Sequence, residues 1–363
     1  ALFITGCPSP RKEPPRVTPL RPIQPPPASA PVIVEPEVQT EMVPGDFTPP
    51  PIVDKSESIL PEEKFTLPGG ILPVSAWQEL CGFTSARILQ KDYPQSIELT
   101  SPAGVLQMAV GQRYAKWNGI NLGLGFAPSL QRGQIALHSL DVSKNVHALV
   151  FGVVKPLDKR RVLVIDPGHG GRDSGSKCVG RNTYEKELTL DWALRIQRLL
   201  TNSAWTVLLT RDSDRETPLL DRVQFADAQN ADLFISLHFN SLAGTGTGGD
   251  ESGAETYCLT PAGLPSNIQR GYEDDPRRVF PNNVYDTENV VLAMRIQSSL
   301  VKLTNRRDRG VRRARFMTVL REQKRPAVLV EGGFLSNPAE SRQILQPEFR
   351  EQLAKAICES LPE

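Results

Sequence analysis

No two cysteines of this 363-residue chain are spaced as a CxxC pair; Cys7, Cys81, Cys178, Cys258 and Cys358 are scattered along it. Neither a thiolate zinc site nor a disulfide scaffold is indicated. An excess of one charge is also missing: 42 basic residues stand against 41 acidic ones. The chain therefore has no electrostatic footprint for nucleic acid, and partners must be argued from sites. No stretch of ~20 apolar residues is present that would span a membrane. Proline is abundant but uneven, eighteen of the 32 falling within the first 75 residues. The length suggests two or more domains of ~100–200 residues each.

Residues 1–7, ALFITGC, are apolar, end in small residues before Cys7, and give way at once to polar, Pro-rich sequence. They resemble the end of a bacterial lipoprotein signal peptide, with Ile4, Thr5, Gly6 and Cys7 as the lipobox. That resemblance implies cleavage before Cys7 and diacylglycerol on its sulfur, an anchor that needs no spanning helix. It places the protein in the bacterial cell envelope, periplasmic or otherwise extracytoplasmic, at a membrane surface. Residues 8–73 have the composition of a disordered tether, since polyproline II chain extends ~3.1 Å per residue.

From residue 74 to about 155 the pattern changes to short apolar runs broken by Gly, Asn and Ser, the mark of a small mainly-β domain. Ile97 to Thr100, Val105 to Ala109, Ile120 to Leu124 and Ile135 to Leu140 read as strands, with a short helix at Ala76 to Cys81. The run Met108 to Leu122, with Gly133, Gln134, Asp141 and Val142, resembles the copper amine oxidase N-terminal-like repeats appended to cell-wall enzymes. Copper does not follow, because His138 and His147 have no partner at ligand spacing.

Residues 160–363 alternate strand-like and helix-like segments, which predicts an α/β domain with a mostly parallel sheet and helices on both faces. Strands are expected at Val162 to Asp166, Thr206 to Thr210, Leu233 to His238, Ala254 to Leu259 and Ala327 to Glu331. Helices are expected at Glu185 to Leu200, Leu219 to Asn230, Thr287 to Leu303 and Pro347 to Leu361. In VLVIDPGHGG, Val162 to Gly171, an apolar run stops at Pro167 and Gly168, so His169 sits in a turn just past a strand end. Open α/β sheets place their ligands there. His238 and Glu331 end two further strands, and Glu185 lies in the first turn of a helix, where a carboxylate is favoured.

Two His and one carboxylate with an open fourth position is the ligand set of a catalytic zinc. A second carboxylate, off the metal, would act as general base. Spacing alone does not rank Glu185 above Glu187 as ligand, because the two point away from each other on a helix.

DPGHGG at Asp166 to Gly171, YEKELTLDWA at Tyr184 to Ala193, TRDSD at Thr210 to Asp214, ADLFISLHFNS at Ala231 to Ser241, GAETY at Gly253 to Tyr257 and PAVLVEGGFLSN at Pro326 to Asn337 together resemble the zinc-dependent N-acetylmuramoyl-L-alanine amidases of the amidase type 3 family. The resemblance runs over about 200 residues in the family's order. It implies hydrolysis of the amide between N-acetylmuramic acid and L-alanine in peptidoglycan, in wall remodelling, cell separation or recycling. One Zn2+ ion held by His169, Glu185 and His238 is implied, with Glu331 as the catalytic glutamate. Asp166 and Asn240 are candidates for orienting the histidines or for contacting substrate. Implied partners are peptidoglycan, the membrane through the lipid, and an activator protein.

Between Thr260 and Asp286 the chain is polar and Pro-rich where many relatives run directly into the next helix. This loop is expected near the site because it follows the strand after the one ending in His238. In some relatives an inserted segment occludes the zinc until an activator binds, and Glu273, Asp274 and Asp275 are acids of the right kind for that. The basic run Asn305 to Arg315 reads as a solvated face or as a guide for anionic stem carboxylates. Two other functions share the ligand set or the location: a zinc peptidase cutting within stem peptides, and a catalytically silent peptidoglycan-binding lipoprotein.

Overall fold

The computed structural model describes residues 67–152, 161–242, 250–269 and 274–362, all within one compact unit, Pro61–Glu363. Cys7, the lipobox and nearly all of the Pro-rich tether lie outside the described residues, as does Glu273. Among the described residues the strands are β1 (Ile71–Pro73), β2 (Ser85–Gln90), β3 (Ser96–Ser101), β4 (Gly104–Ala109), β5 (Tyr114–Trp117), β6 (Ile120–Gly123), β7 (Ser129–Gln131), β8 (Gln134–His138), β9 (Arg161–Pro167), β10 (Trp205–Leu209), β11 (Leu233–Asn240), β12 (Ala254–Leu259), β13 (Asp308–Ala314) and β14 (Ala327–Phe334). One sheet has the order β10-β9-β11-β14-β12-β13-β6-β5-β4-β3-β2, and β1-β8-β7 form a second.

Branched apolar runs without polar alternation need cover on both faces, and β9, β11 and β14 have it. Leu163 and Ile165 face one core with Trp192, Ile235, Val330 and Leu353, while Val162 and Val164 face another with Ala226, Phe234 and Leu329. Each such side chain contributes about 1.5–3 kcal/mol by leaving water. The helices Glu185–Leu199, Asp286–Thr304 and Pro347–Ser360 pack together over the first core. Leu219–Ala228 and Thr318–Arg321 pack over the second. From β10 to β13 every neighbouring pair is parallel except β12 with β14.

That reversed strand corrects the expected position of the 260–286 loop. β9, β11 and β14 finish at one end of the sheet, and β12 finishes at the other, so the loop leaves from the far end. Asn283 Nδ2 donates to Thr260 O at 3.1 Å and Asn282 Nδ2 to Arg325 O at 2.7 Å, just before β14 begins. Asp274 is engaged there by Arg315 and by the amide and hydroxyl of Ser266, and Asp275 pairs with Arg277. Occlusion of the strand-end site by these two acids is excluded by that placement.

The basic run is not a solvated face. It forms β13, an inner strand, and the residues flanking it: Arg313 within the strand is 1 % exposed, Arg306 before it 6 % and Arg315 after it 1 %. A guanidinium presents five donors in a rigid fork, so it can be buried when protein acceptors surround it. Arg313 donates to Leu259 O at 3.1 Å and Asn145 Oδ1 at 2.7 Å, and Arg306 pairs with Glu340 at 2.6 Å.

In the region 74–155, strands β2 to β6 continue the same sheet, while β7 and β8 pair with β1 in the second. β6 joins β13 in parallel at Leu122 and Val311, and Asp308 Oδ2 accepts the amide of Asn121 at 2.7 Å. Its last expected strand stops at His138, whose Nδ1 accepts the amide of Leu140 at 3.2 Å and caps a run of helical turns, Ser139–Asp141 to His147–Phe151. A 3₁₀ turn, Val74–Ala76, ends where the short helix expected at Ala76 to Cys81 would begin, and residues 77–81 form turns instead. No helix among the described residues is long and apolar enough to cross a membrane.

Candidate metal centre

The turn after β9 is strained. His169 has φ +63°, a left-handed conformation that costs a non-glycine residue on the order of 1–3 kcal/mol and persists only when its surroundings impose it. Two buried arginines do so. Arg211 donates to Pro167 O at 3.0 Å and Gly168 O at 2.8 Å, and Arg222 donates to Pro167 O at 2.8 Å and His169 O at 2.8 Å. Backbone bonds between Gly170 and Asp173 close the turn at 2.8 and 3.2 Å.

The helix Glu185–Leu199 brings the carboxylate. Its stripe Leu188, Trp192 and Ile196 is buried, which fixes its rotation and turns Glu185 inward at 3 % exposure. Glu187 is exposed on the opposite side, so the structure separates the two acids that spacing left equivalent. Glu185 Oε1 lies 3.1 Å from His169 Nε2 and 3.0 Å from His238 Nδ1, and it accepts the amide of Phe239 at 3.0 Å. Oε2 accepts the amide of Ser176 at 2.9 Å. The two imidazoles meet edge to face, ring centres 4.9 Å apart.

Burial disfavours the Glu185 carboxylate, but both imidazoles outweigh it and hold the carboxyl well below its usual range. Burial likewise disfavours the His169 imidazolium; Glu185 and Asp173 outweigh it, and the ring titrates above its ordinary value.

One donor atom from each of His169, Glu185 and His238 lies within 4.8 Å of the others. This set could hold a metal ion, and nitrogen and carboxylate oxygen are the donors a borderline cation such as zinc takes at ~2.0–2.2 Å. The backbone leaves room for the rings: a Cβ on Gly168 would stand 2.3 Å from His238 Cε1, and one on Gly175 would stand 2.6 Å from His169 Cδ2 and 2.8 Å from Glu185 Oε2. The donors therefore fit a single ion.

The fourth residue, Glu331, is the direct partner of His238 across β11 and β14. The two residues suggested as orienting the histidines bond elsewhere. Asp166 is buried against Thr210, Ser236 and Arg222, and reaches His169 only through Arg222. Asn240 donates to Glu255 Oε1 at 2.6 Å. The group that meets the His169 ring is Asp173, its Oδ2 2.8 Å from Nδ1. Sequence reasoning missed Asp173, which lies in a Gly-rich turn with no periodicity, and it missed Glu255. A lone carboxylate inside the apolar strand GAETYCL was the available signal for Glu255.

The family described as N-acetylmuramoyl-L-alanine amidase matches residues 163–363. The chain is 30 % identical to the N-acetylmuramoyl-L-alanine amidase AmiA of Escherichia coli, over 56 % of this chain and 75 % of that one. It is 34 % identical to an uncharacterized cell wall amidase of Bacillus anthracis, over 54 % of this chain but only 34 % of that protein's length. Among solved structures, the catalytic domain of the amidase CwlV from Bacillus (Paenibacillus) polymyxa is 31 % identical, with 55 % of this chain and 95 % of that one covered and a TM-score of 0.45. By the extent of the family match, the chain belongs to the N-acetylmuramoyl-L-alanine amidase family.

Proposed function

We propose that this chain hydrolyses the amide bond between the lactyl group of N-acetylmuramic acid and the L-alanine of the stem peptide in bacterial peptidoglycan, with one zinc ion held by His169, Glu185 and His238. The observation that carries the reading is the convergence of these three donors within 4.8 Å beside Glu331, in a chain of this family. Zinc bound there lowers the pKa of water toward ~7 and polarises a carbonyl.

The chain's own residues do the rest. Glu331, opposite His238, takes a proton from the attacking water onto its carboxylate and returns it to the leaving amine nitrogen. Asp173 holds Nδ1 of His169 and so leaves Nε2 toward Glu185. Arg211 and Arg222 clamp the strained turn, and Asp166 acts by securing Arg222. Asn240 bonds to Glu255 and not to the histidines.

In the same reading Cys7 carries the lipid, the Pro-rich segment is the tether, and the enzyme works outside the cytoplasm against the wall. The region 74–155, read as a copper amine oxidase N-terminal-like module without copper, extends the catalytic sheet through β6.

Digestion of purified sacculi followed by mass spectrometry of the new ends tests the proposal. Free lactyl groups and N-terminal L-Ala are expected, chelation should abolish them, and zinc should restore them. Cuts within the stem peptide would make the chain a peptidase, and no cuts would make it a silent binder. Glu331→Gln should lower the rate about 10²–10⁴-fold with bound metal unchanged.

A further inference from the structure

A bulge follows Glu331 directly. His238 stands opposite Glu331, and next Asn240 stands opposite Phe334, so two steps along β11 are matched by three along β14. Gly332 and Gly333 carry the excess. Gly333 has φ +144°, and a Cβ on Gly332 would stand 2.9 Å from Phe239 Cε1 and 3.0 Å from Trp192 Cζ3. A bulge beside a site re-aims its neighbouring side chain, and here that neighbour is Glu331.

A bracket of side chains crosses over β14 at this point. Glu255 on β12 is the direct partner of Glu331 on the side away from His238, and it is 1 % exposed. Its Oε1 accepts from Asn240 Nδ2 at 2.6 Å and from the Tyr257 hydroxyl at 2.7 Å. Its Oε2 accepts from Arg309 Nε at 3.0 Å and lies 3.1 Å from Arg312 Nε. The bond to Asn240 thus runs from β12 to β11, with Glu331 between the two strands. Arg309 also lies over the ring of Phe334, 4.7 Å from its centre, at the closing residue of the bulge. None of these contacts involves His169, Glu185 or His238.

For stability alone a well-packed apolar residue would serve as well as a buried carboxylate that needs two guanidinium groups beside it. We propose that Glu255 is a positioning residue for the hydrolysis: with Asn240, Arg309 and Arg312 it fixes the bulge in β14 and thereby the aim of the Glu331 carboxylate. This rests on Glu331 being the base, and it adds why that base stays aimed.

The test compares wild type, Glu255→Gln, Asn240→Ala and the double variant on purified sacculi, below the Tm of each, with Glu331→Gln alongside and bound metal measured throughout. Each single variant is expected to lower kcat about 10–100-fold with KM and metal content unchanged, because a small misplacement of a reacting group costs rate and not affinity. The double variant should be no slower than the slower single one, since both cut the same bracket. Unchanged kcat, losses that multiply, or losses that appear in KM or in metal content would overturn the proposal. Asn240 is only half-buried, so Asn240→Ala carries the test on the same readouts where Glu255→Gln does not fold. Full activity in Glu331→Gln would remove the base assignment itself. Inactive Glu331→Gln with unslowed Glu255→Gln would remove only the bracket.

Discussion

At the end of the sheet where β9, β11 and β14 finish, a buried carboxylate sits between two imidazoles beside a strained turn. At the opposite end, where β12 and β13 finish, Arg313 and Arg315 are equally buried, yet their guanidinium groups are taken up by Leu259 O, Asn145, Pro261 O and Asp274. Both ends bury charge, so burial of charge does not identify a site. The first end gathers donors of one chemical kind around a common point and holds His169 in a costly conformation to do so. The second sets Arg313 against carbonyl oxygens and Arg315 against Asp274 and carbonyls, which secures the fold.

Substitutions should separate the two ends. His169→Ala has the largest expected effect on function: bound zinc and amide hydrolysis should both fall to background, with Tm of the metal-free chain shifted by only a few degrees, read by metal analysis and calorimetry. Arg315→Leu should do the reverse. It leaves Asp274 without its guanidinium, at about 3 kcal/mol and a Tm lower by on the order of 10 °C, while zinc per folded chain stays constant. Zinc loss in that variant would show that the two ends are not separable.

Smaller is Asp173→Asn, which removes the charge against His169 Nδ1 and should weaken zinc about 10–100-fold in a competition titration. If affinity does not change, Asp173 merely closes its turn.

Acid should take the ends apart in sequence. His169 titrates above its ordinary value in the metal-free chain, and zinc requires the neutral ring, so protons compete already from above pH ~6.5 downward. In the metal-free chain the His169–Glu185 attraction is fully present below that pH and fades as pH rises through the raised value. Burial works against the Asp274 carboxylate, but Ser266 and Arg315 hold it below the usual range. Its contribution is present above ~3.9 and is lost as pH falls further. Zinc release should therefore precede unfolding on acidification, and simultaneous loss would contradict that order.

The strands that carry the site were legible because Val162–Ile165 and Ala327–Val330 are unbroken apolar runs and Leu233–Leu237 is broken only by Ser236. β13 was not, since a strand written DRGVRRA reads as surface until its acceptors are known, and those acceptors come from Asn145, Glu255 and Leu259, far away in sequence. β2 was missed for the opposite reason: all six of its residues are exposed, so no alternation marks it. His169 follows a strand end and Glu185 starts a helix, which sequence can locate; His238 and Glu331 read as strand ends because the apolar runs stop there, yet the strands continue to Asn240 and Phe334. Whether Glu185 or Glu187 faces inward depends on how the helix is rotated by Leu188, Trp192 and Ile196. The direction of β12 has no signature in its residues at all, and that one unknown put the 260–286 loop at the wrong end.

The reversal of β12 also insulates growth from chemistry. Chain added between Thr260 and Asp286 enlarges the molecule beside the N-terminal end of β14, a strand's length away from His169 and Glu331. Such an insertion, whether accumulated in descent or introduced as an affinity tag, can vary in length and composition while the end that gathers His169, Glu185 and His238 keeps its geometry.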